Sequence, residues 1–200
     1  TGNGQTSFLA LAEPTGEWLA ARSIPGMELR ALAIDDEGSV FVTGPGILAR
    51  RYDAGFQEIW NIPEPADGLS SEYIAVGNGR TQPFVYVQGT FGQGADDQDV
   101  FVTQLGKEAG NRLWNIEIRS NDTPTPGQEQ AGGIGVGPQG VVRAAVSSDG
   151  SDLASGGVLL RDTPTTASRH GHLLFLDPTE GRLRNDRLLG ASTEPGGIMD

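Results

Sequence analysis

The two histidines of the chain are its most direct candidates for metal chemistry. They stand in the segment His170-Gly171-His172, and alternate residues of a strand point to the same face, so both imidazoles could bind one ion. The carboxylate that would complete such a site is Asp162, Asp177 or Asp186. The alternative, which we favour, is an exposed loop leading into a strand, because a stretch rich in Thr and Pro precedes the histidines.

Three acidic turns are the candidates for calcium. They lie at Asp35–Gly38, Asp96–Asp99 and Ser148–Asp152, where oxygens crowd together as calcium prefers. None has the EF-hand spacing, and Asp and Gly are also the residues that tight hairpins need. We therefore expect plain turns, with calcium as the one cofactor that the sequence admits. Its best candidate ligands are Asp96, Asp97 and Asp99.

Motifs for nucleophilic catalysis and phosphate binding are missing from the sequence. The 200 residues contain no cysteine, which excludes a thiol nucleophile, a disulfide scaffold and a Cys-based zinc site. No G-x-S-x-G elbow occurs. The glycine-rich run at 132–137 lacks the Lys-Ser/Thr pair of a phosphate loop and is expected to be part of a strand. We therefore assign no catalytic and no cofactor-binding residue.

The charge balance excludes further classes of protein. The chain carries 14 Lys and Arg against 26 Asp and Glu, a formal net charge of -12, so no basic surface is expected for nucleic acid. No apolar run approaches the ~20 residues of a membrane helix. The chain begins at Thr1 without a signal sequence, and we expect a processed or partial chain of an exported protein. The lack of cysteine is compatible with export.

The hydrophobic pattern predicts an all-β protein. Helical periodicity is nearly absent, and short alternating runs end at Gly, Asp, Asn or Pro. Ala31–Gly44 reads as strand, acidic turn and strand, and the same form returns at Tyr73–Gly89 and Gly133–Val146. A second type of hairpin alternates with it. Three of its four copies carry a tryptophan at a matching place, and we expect these side chains to pack between neighbouring repeats: Trp18, Trp60 and Trp114.

Four strands per repeat are typical of a β-propeller blade. The segment DDQDVFVTQLGKEAGNRLWN at Asp96–Asn115 resembles the bacterial beta-propeller repeat, a family whose core reads GIAVD-x-x-GNVYVTG. The hairpins AEPTGEW and LDPTEGRL resemble those of quinoprotein-type propellers. The resemblance covers almost the whole chain and implies a propeller of four-stranded antiparallel blades, with export. The calcium ligands and catalytic Asp of the quinoprotein enzymes have no counterpart here, so their activity is not implied.

The repeat predicts one propeller domain over residues 1–200, with about four blades at 1–44, 45–92, 93–157 and 158–200. Because both ends cut through a repeat, we expect part of a larger propeller. A self-associating half and a four-bladed ring closed by an N-terminal strand are the alternatives. In the larger propeller and in the self-associating half, another segment or chain completes the open strand edges.

These observations favour a non-catalytic, exported binding or assembly module, whose partner is a protein or a cell-surface component. The inserts Asn121–Gln130 and Ser147–Thr166 are expected to carry binding, with local cationic groups at Arg143, Arg161 and Arg169. The alternatives are a hydrolase or lyase domain, or a lectin-like glycan-binding domain, with its site at the channel mouth. An enzyme would need polar side chains of successive first strands to converge, for instance Arg50, Arg51 and Gln104.

Overall fold

The computed structural model describes residues 6–65, 69–77, 83–94, 97–120, 128–149, 153–155, 158–159 and 169–192. Every regular element in these ranges is a strand. The strands are β1 Thr6–Ala12, β2 Trp18–Pro25, β3 Ala31–Ile34, β4 Val40–Gly44, β5 Ile47–Tyr52, β6 Glu58–Pro63, β7 Ser70–Val76, β8 Phe84–Gly94, β9 Asp97–Gly106, β10 Arg112–Ser120, β11 Glu129–Val136, β12 Val142–Ser148, β13 Leu153–Ser155, β14 Val158–Leu159, β15 Arg169–Leu176 and β16 Leu183–Ser192. Across these ranges the structure contains no helix long and apolar enough to cross a membrane.

The strands form antiparallel blades, which confirms the all-β propeller fold. The first blade has the order β3-β4-β5-β6, the second β7-β8-β9-β10 and the third β11-β12-β15-β16. The short strands β13 and β14 extend the outer edge of the second blade, and β1 with β2 forms a separate N-terminal hairpin. The inner strand β7 lies beside both β3 and β11, as expected where inner strands gather around one axis.

The blades begin and end at other residues than the sequence repeat suggests. The expected boundary after residue 44 falls inside the first blade, between β4 and β5. Only Pro45 and Gly46 separate these two strands, and Gly46 has a φ of 82°, so the chain makes a tight hairpin and the strands must pair. Between β2 and β3 the longer segment 26–30 lets the chain pass from one sheet to the next.

Apolar side chains fill the three junctions between sheets. Leu9 and Ile24 of the N-terminal hairpin pack against Val40, Tyr52 and other residues of the first blade. A second cluster joins the first and second blades around Phe41 and Phe101. The third and largest joins the second and third blades. The hydrophobic effect therefore acts between blades, each of which is too thin to bury a core alone.

The junction of the first and second blades is also held by polar contacts to one turn. The backbone carbonyl of Lys107 accepts hydrogen bonds from Trp60 Nε1 at 3.0 Å and from Arg51 Nη1 at 3.1 Å. The buried Lys107 Nζ lies 3.2 Å from Asp35 Oδ2 and 3.4 Å from Glu37 Oε2. Although burial opposes the charge, these two carboxylates raise the pKa of Lys107. The only lysine of the chain thus ties two blades together.

The next junction repeats this arrangement one blade later. The carbonyl of Pro178 accepts from Trp114 Nε1 at 3.2 Å and from Gln104 Nε2 at 2.7 Å. In each turn a left-handed glycine lies under the tryptophan ring: Gly110 has a φ of 69° and Gly181 a φ of 70°. A Cβ at Gly181 would come within 2.7 Å of the Trp114 ring. The sequence repeat therefore encodes a repeated contact between blades.

Candidate functional site

The inner edge of the N-terminal hairpin is an open strand edge in the described structure. In the described ranges β1 pairs with β2 and with no other strand. Its sequence, TSFLALA, contains neither a charged residue nor a proline, the two features that usually protect a strand edge. Phe8 is 70% exposed and Leu11 is also exposed. Within the described ranges, the edge thus offers unpaired backbone groups next to apolar side chains.

An apolar face of β3 continues this surface. Leu32 is 56% exposed, and Ile34 is exposed to a similar degree. The corresponding residue of the second blade, Ile74, is 7% exposed because the first blade covers it. The N-terminal hairpin covers β4 and β5 of the first blade but leaves this part of β3 open. Leu32 and Ile34 therefore occupy positions that a preceding blade would bury.

The tryptophans follow the same pattern. Trp60 and Trp114 pack between blades as predicted, each ring lying against a glycine of the next blade, Gly110 or Gly181. The prediction is wrong for Trp18, which is 72% exposed. No turn of a neighbouring blade receives Trp18 among the described residues, so its indole extends the exposed apolar surface of the hairpin.

The two histidines lie in the interior and not in an exposed loop, so the loop interpretation is wrong. His170 and His172 are on β15, both almost fully buried, with ring centroids 5.1 Å apart. Across the sheet, His170 pairs with Ser148, which in turn pairs with Glu129. The Ser148 hydroxyl donates to Glu129 Oε1 at 2.7 Å. Sequence reasoning missed this buried polar row because its members are distant in the chain.

A metal site at the histidines receives only partial support. Asp186 Oδ2 lies 3.6 Å from His172 Nδ1, whereas Asp177 forms an ion pair with Arg184. Asp162 lies outside the described residues. In the part of the chain that is described, no three His, Asp or Glu side chains are placed to hold one ion.

Glu129 is the most perturbed carboxyl of this row. Its side chain is fully buried, and this desolvation raises its pKa from 4.5 to about 7, helped by the negative charges of Asp99 and Asp149. Hydrogen bonds from Ser148 and from the Ser120 backbone act in the opposite direction. The Glu129 carboxyl thus lies inside the fold, out of contact with solvent.

The first of the three acidic turns binds its own backbone. Asp35 Oδ1 accepts hydrogen bonds from the backbone amides of Glu37 and Ser39 at 3.0 and 2.8 Å. Its other oxygen, Oδ2, lies 3.2 Å from Lys107 Nζ. Among the calcium candidates, Asp99 is buried and its Oδ2 lies 3.4 Å from Arg119 Nε. Asp96 and the side chain of Asp97 lie outside the described residues, so calcium binding there stays a prediction.

The three arginines proposed for partner binding do not form one described patch. The guanidinium of Arg143 lies 5.8 Å from the ring centroid of Phe175, its cross-strand partner in the sheet. Arg169 donates to Gln130 Oε1 at 2.9 Å and lies six residues earlier on β15, about 20 Å along the strand. Arg161 lies outside the described residues. A role for any of them in binding stays a prediction.

The side chains named for an enzyme site do not converge. Arg51 and Gln104 lie on the third strands of their blades and not on first strands as expected. Each contacts a different turn, that of Lys107 or that of Pro178. Arg50 instead pairs with Glu58 at 3.2 Å. Arg51 and Gln104 hold neighbouring blades together, whereas Arg50 binds within its own blade, so the three side chains share no partner.

Comparisons with known proteins do not assign a function to this chain. No family model matches the chain, and no curated protein matches it. Among solved structures it is similar to an oxidoreductase (glucose dehydrogenase) from Thermus thermophilus, with a TM-score of 0.44 and 14% identity. The similarity covers 80% of this chain and 50% of that one, so the chain spans half the length of that protein. We therefore infer function from the residues of this chain alone.

Proposed function

We propose that this chain is a non-catalytic binding and assembly module, and that its binding surface is the free edge of β1 with the adjoining apolar face of β3. The observation that carries the proposal is the charge-free edge of β1, which is unpaired on one side among the described residues. Such an edge binds an added strand through its backbone, and alternate side chains supply the specificity.

The partner strand comes from a second copy of the same chain. Two β1 edges related by a two-fold axis can pair antiparallel, because a two-fold contact brings the same patch of both copies together. The resulting sheet has the order β2-β1-β1-β2, with the four strands that a blade also has. Phe8 of each copy would then leave water, which favours association.

The enzyme alternative has no comparable support, because Arg50, Arg51 and Gln104 contact separate partners. Export and membership of the bacterial beta-propeller repeat family belong to the same proposal. They are supported by the lack of cysteine in 200 residues and by the motifs of the repeat. The hairpin formed by β1 and β2 resembles those of quinoprotein-type propellers.

Light scattering at micromolar concentration in 150 mM salt tests the proposal. We expect a mass twice the 21.0 kDa of the chain, and association that strengthens with salt, because each copy carries a charge of -12. Phe8→Lys places a charge beside the edge and should give the monomer mass while the chain still unfolds cooperatively. Leu189→Lys, at an exposed position on β16, is the matched control and should still associate.

Two results would contradict the proposal. One is a wild-type protein that remains monomeric at every concentration and salt level. The other is an assembly that Phe8→Lys and Leu189→Lys weaken equally, since the contact would then lie away from β1.

A further inference from the structure

The face of the third blade that points away from the second blade carries a basic patch. Ala144 and Leu174 belong to the apolar cluster between these two blades. Their neighbours in the sequence, Arg143 and Phe175, therefore lie on the opposite face of the sheet. Arg143 is exposed and Phe175 is half-buried, so a partner can reach both side chains.

Two guanidinium groups share the Phe175 ring of this patch. The Arg143 guanidinium lies 5.8 Å from the ring centroid, and the Arg187 guanidinium lies 5.8 Å from the same centroid. Arg187 is exposed as well, and within the described ranges neither arginine is joined to a carboxylate. Because like charges beside one ring repel each other, an anion that contacts both arginines would be stabilised here.

The equivalent place on each of the other two blades binds a turn of its neighbour. Residues directly opposite one another in the sheet form a triplet on this face of every blade. The triplets are Phe41, Arg51 and Trp60 in the first blade, Tyr86, Gln104 and Trp114 in the second, and Arg143, Phe175 and Asn185 in the third. In the first two blades, the second and third members of the triplet donate to a carbonyl in a turn of the next blade. The triplet is therefore the position at which a blade binds a turn.

The first blade shows how an arginine and an aromatic ring of this triplet bind a turn. The Arg51 guanidinium lies 5.6 Å from the ring centroid of Phe41, and its Nη1 lies 2.7 Å from Oε2 of Glu108 on the turn of the second blade. The third blade has an arginine and a phenylalanine at the same two positions, with the strands exchanged. The pair of Arg143 and Phe175 can thus bind a carboxylate in the same manner.

Asn185 takes the place of the tryptophan in the third triplet. Trp60 and Trp114 each lie against a left-handed glycine of the turn that they bind. Asn185 is shorter and exposed, and its amide can both donate and accept hydrogen bonds. With Arg187 beside it, the third triplet is more polar and more cationic than the other two. This difference favours an acidic segment over the glycine turn of another blade.

We infer that the third blade binds an acidic segment of a partner protein through Arg143 and Arg187. Carboxylates of the segment would pair with the two guanidiniums, whose forked donors match the geometry of a carboxylate. Backbone groups of the segment would form hydrogen bonds with Asn185. This inference does not depend on strand pairing at β1, which belongs to a different sheet.

NMR titration of the nitrogen-15-labelled full chain in 150 mM salt tests the inference. The probe is hexaglutamate with both ends capped, and capped hexaglutamine is its uncharged counterpart. Salt at this concentration screens repulsion from distant acidic residues of the chain. We expect hexaglutamate, and not hexaglutamine, to shift the amide signals of Arg143 and Phe175. Arg143→Gln and Arg187→Gln should each weaken binding roughly threefold, and the double variant roughly tenfold.

Arg182→Gln is the matched control, because it removes the same charge from an arginine of the third blade that lies 3.0 Å from Glu180. It should leave binding unaltered. Arg143, Arg182 and Arg187 are all exposed, and the spectrum of each variant shows whether it is folded.

Four results would overturn the inference. Two are the absence of hexaglutamate binding, and an equal loss of binding in all three single variants. The third is tighter binding of hexagalacturonic acid, which has as many carboxylates and would assign the patch to a polysaccharide. The fourth is a concentration-dependent shift of the same amides without peptide that Arg143→Gln removes, since a second copy of the chain would then be the occupant.

Discussion

Glu129 makes the stability of this protein depend on pH in an unusual direction. Its pKa is about 7 in the folded chain against 4.5 ordinarily, chiefly because the carboxyl is desolvated. Between these two values the folded protein holds a proton that the unfolded chain has released. Stability therefore falls as pH rises through this window and is level above it. At about 1.4 kcal/mol for each pH unit, the fall comes to about 3 kcal/mol.

Glu129→Gln isolates this effect, because the amide has nearly the same shape and its oxygen can still accept from Ser148. At pH 8 we expect the variant to be more stable than the wild type by about 2–3 kcal/mol. At pH 4.5, where the wild-type carboxyl is protonated in the folded state, the two proteins should differ by less than about 1 kcal/mol. Urea unfolding between pH 4.5 and 8.5 measures both quantities.

Glu180→Gln is the matched control. The Glu180 side chain is exposed and lies 3.0 Å from Arg182, an arrangement that contributes little to stability. Its difference from the wild type should stay small at every pH. A difference between Glu129→Gln and the wild type that does not change between pH 4.5 and 7 would show that Glu129 is not held protonated by the fold.

Two other predictions concern the contacts between blades, and urea unfolding at pH 7 measures both. Lys107→Met should destabilise the protein by roughly 3 kcal/mol, because it leaves the buried Asp35 without its ion pair, and Lys107→Arg should restore part of the loss. Equal stability of the two variants would contradict this. Gly181→Ala should cost about 3 kcal/mol, from a left-handed backbone and from the clash with Trp114. Gly16→Ala, with a φ of 89° and open space around it, should cost only about 1 kcal/mol; equal costs would refute the clash.

The strands and their turns could be predicted because their signals are local. The segment Ala31–Gly44 folds as strand, turn and strand, with Asp35 capping the turn amides and Gly38 at a φ of 81°. Alternation of apolar residues and turn chemistry act over a few residues, so one sequence is enough. The packing of Trp60 and Trp114 could also be predicted, because the two residues occupy the same position in successive copies of the repeat.

The grouping of hairpins into blades could not be derived, because a periodic sequence does not say where one period begins. Trp18 occupies the same place in the repeat as the other tryptophans, yet its burial depends on a neighbouring sheet. The histidines illustrate the same limit: His170 pairs with Ser148 and His172 with Val146, both more than 20 residues away in the chain. The strands β13 and β14 join the second blade although they lie between two strands of the third, which no local pattern indicates.

The burial of Lys107 gives this protein a built-in chemical reporter. An acylating reagent attacks a neutral, accessible amine, and the only lysine side chain is enclosed at the first junction by Asp35 and Glu37. Modification of Lys107 must therefore wait until the first and second blades separate. The rate at which its peptide gains mass would record how often this junction opens under native conditions, without any substitution in the chain.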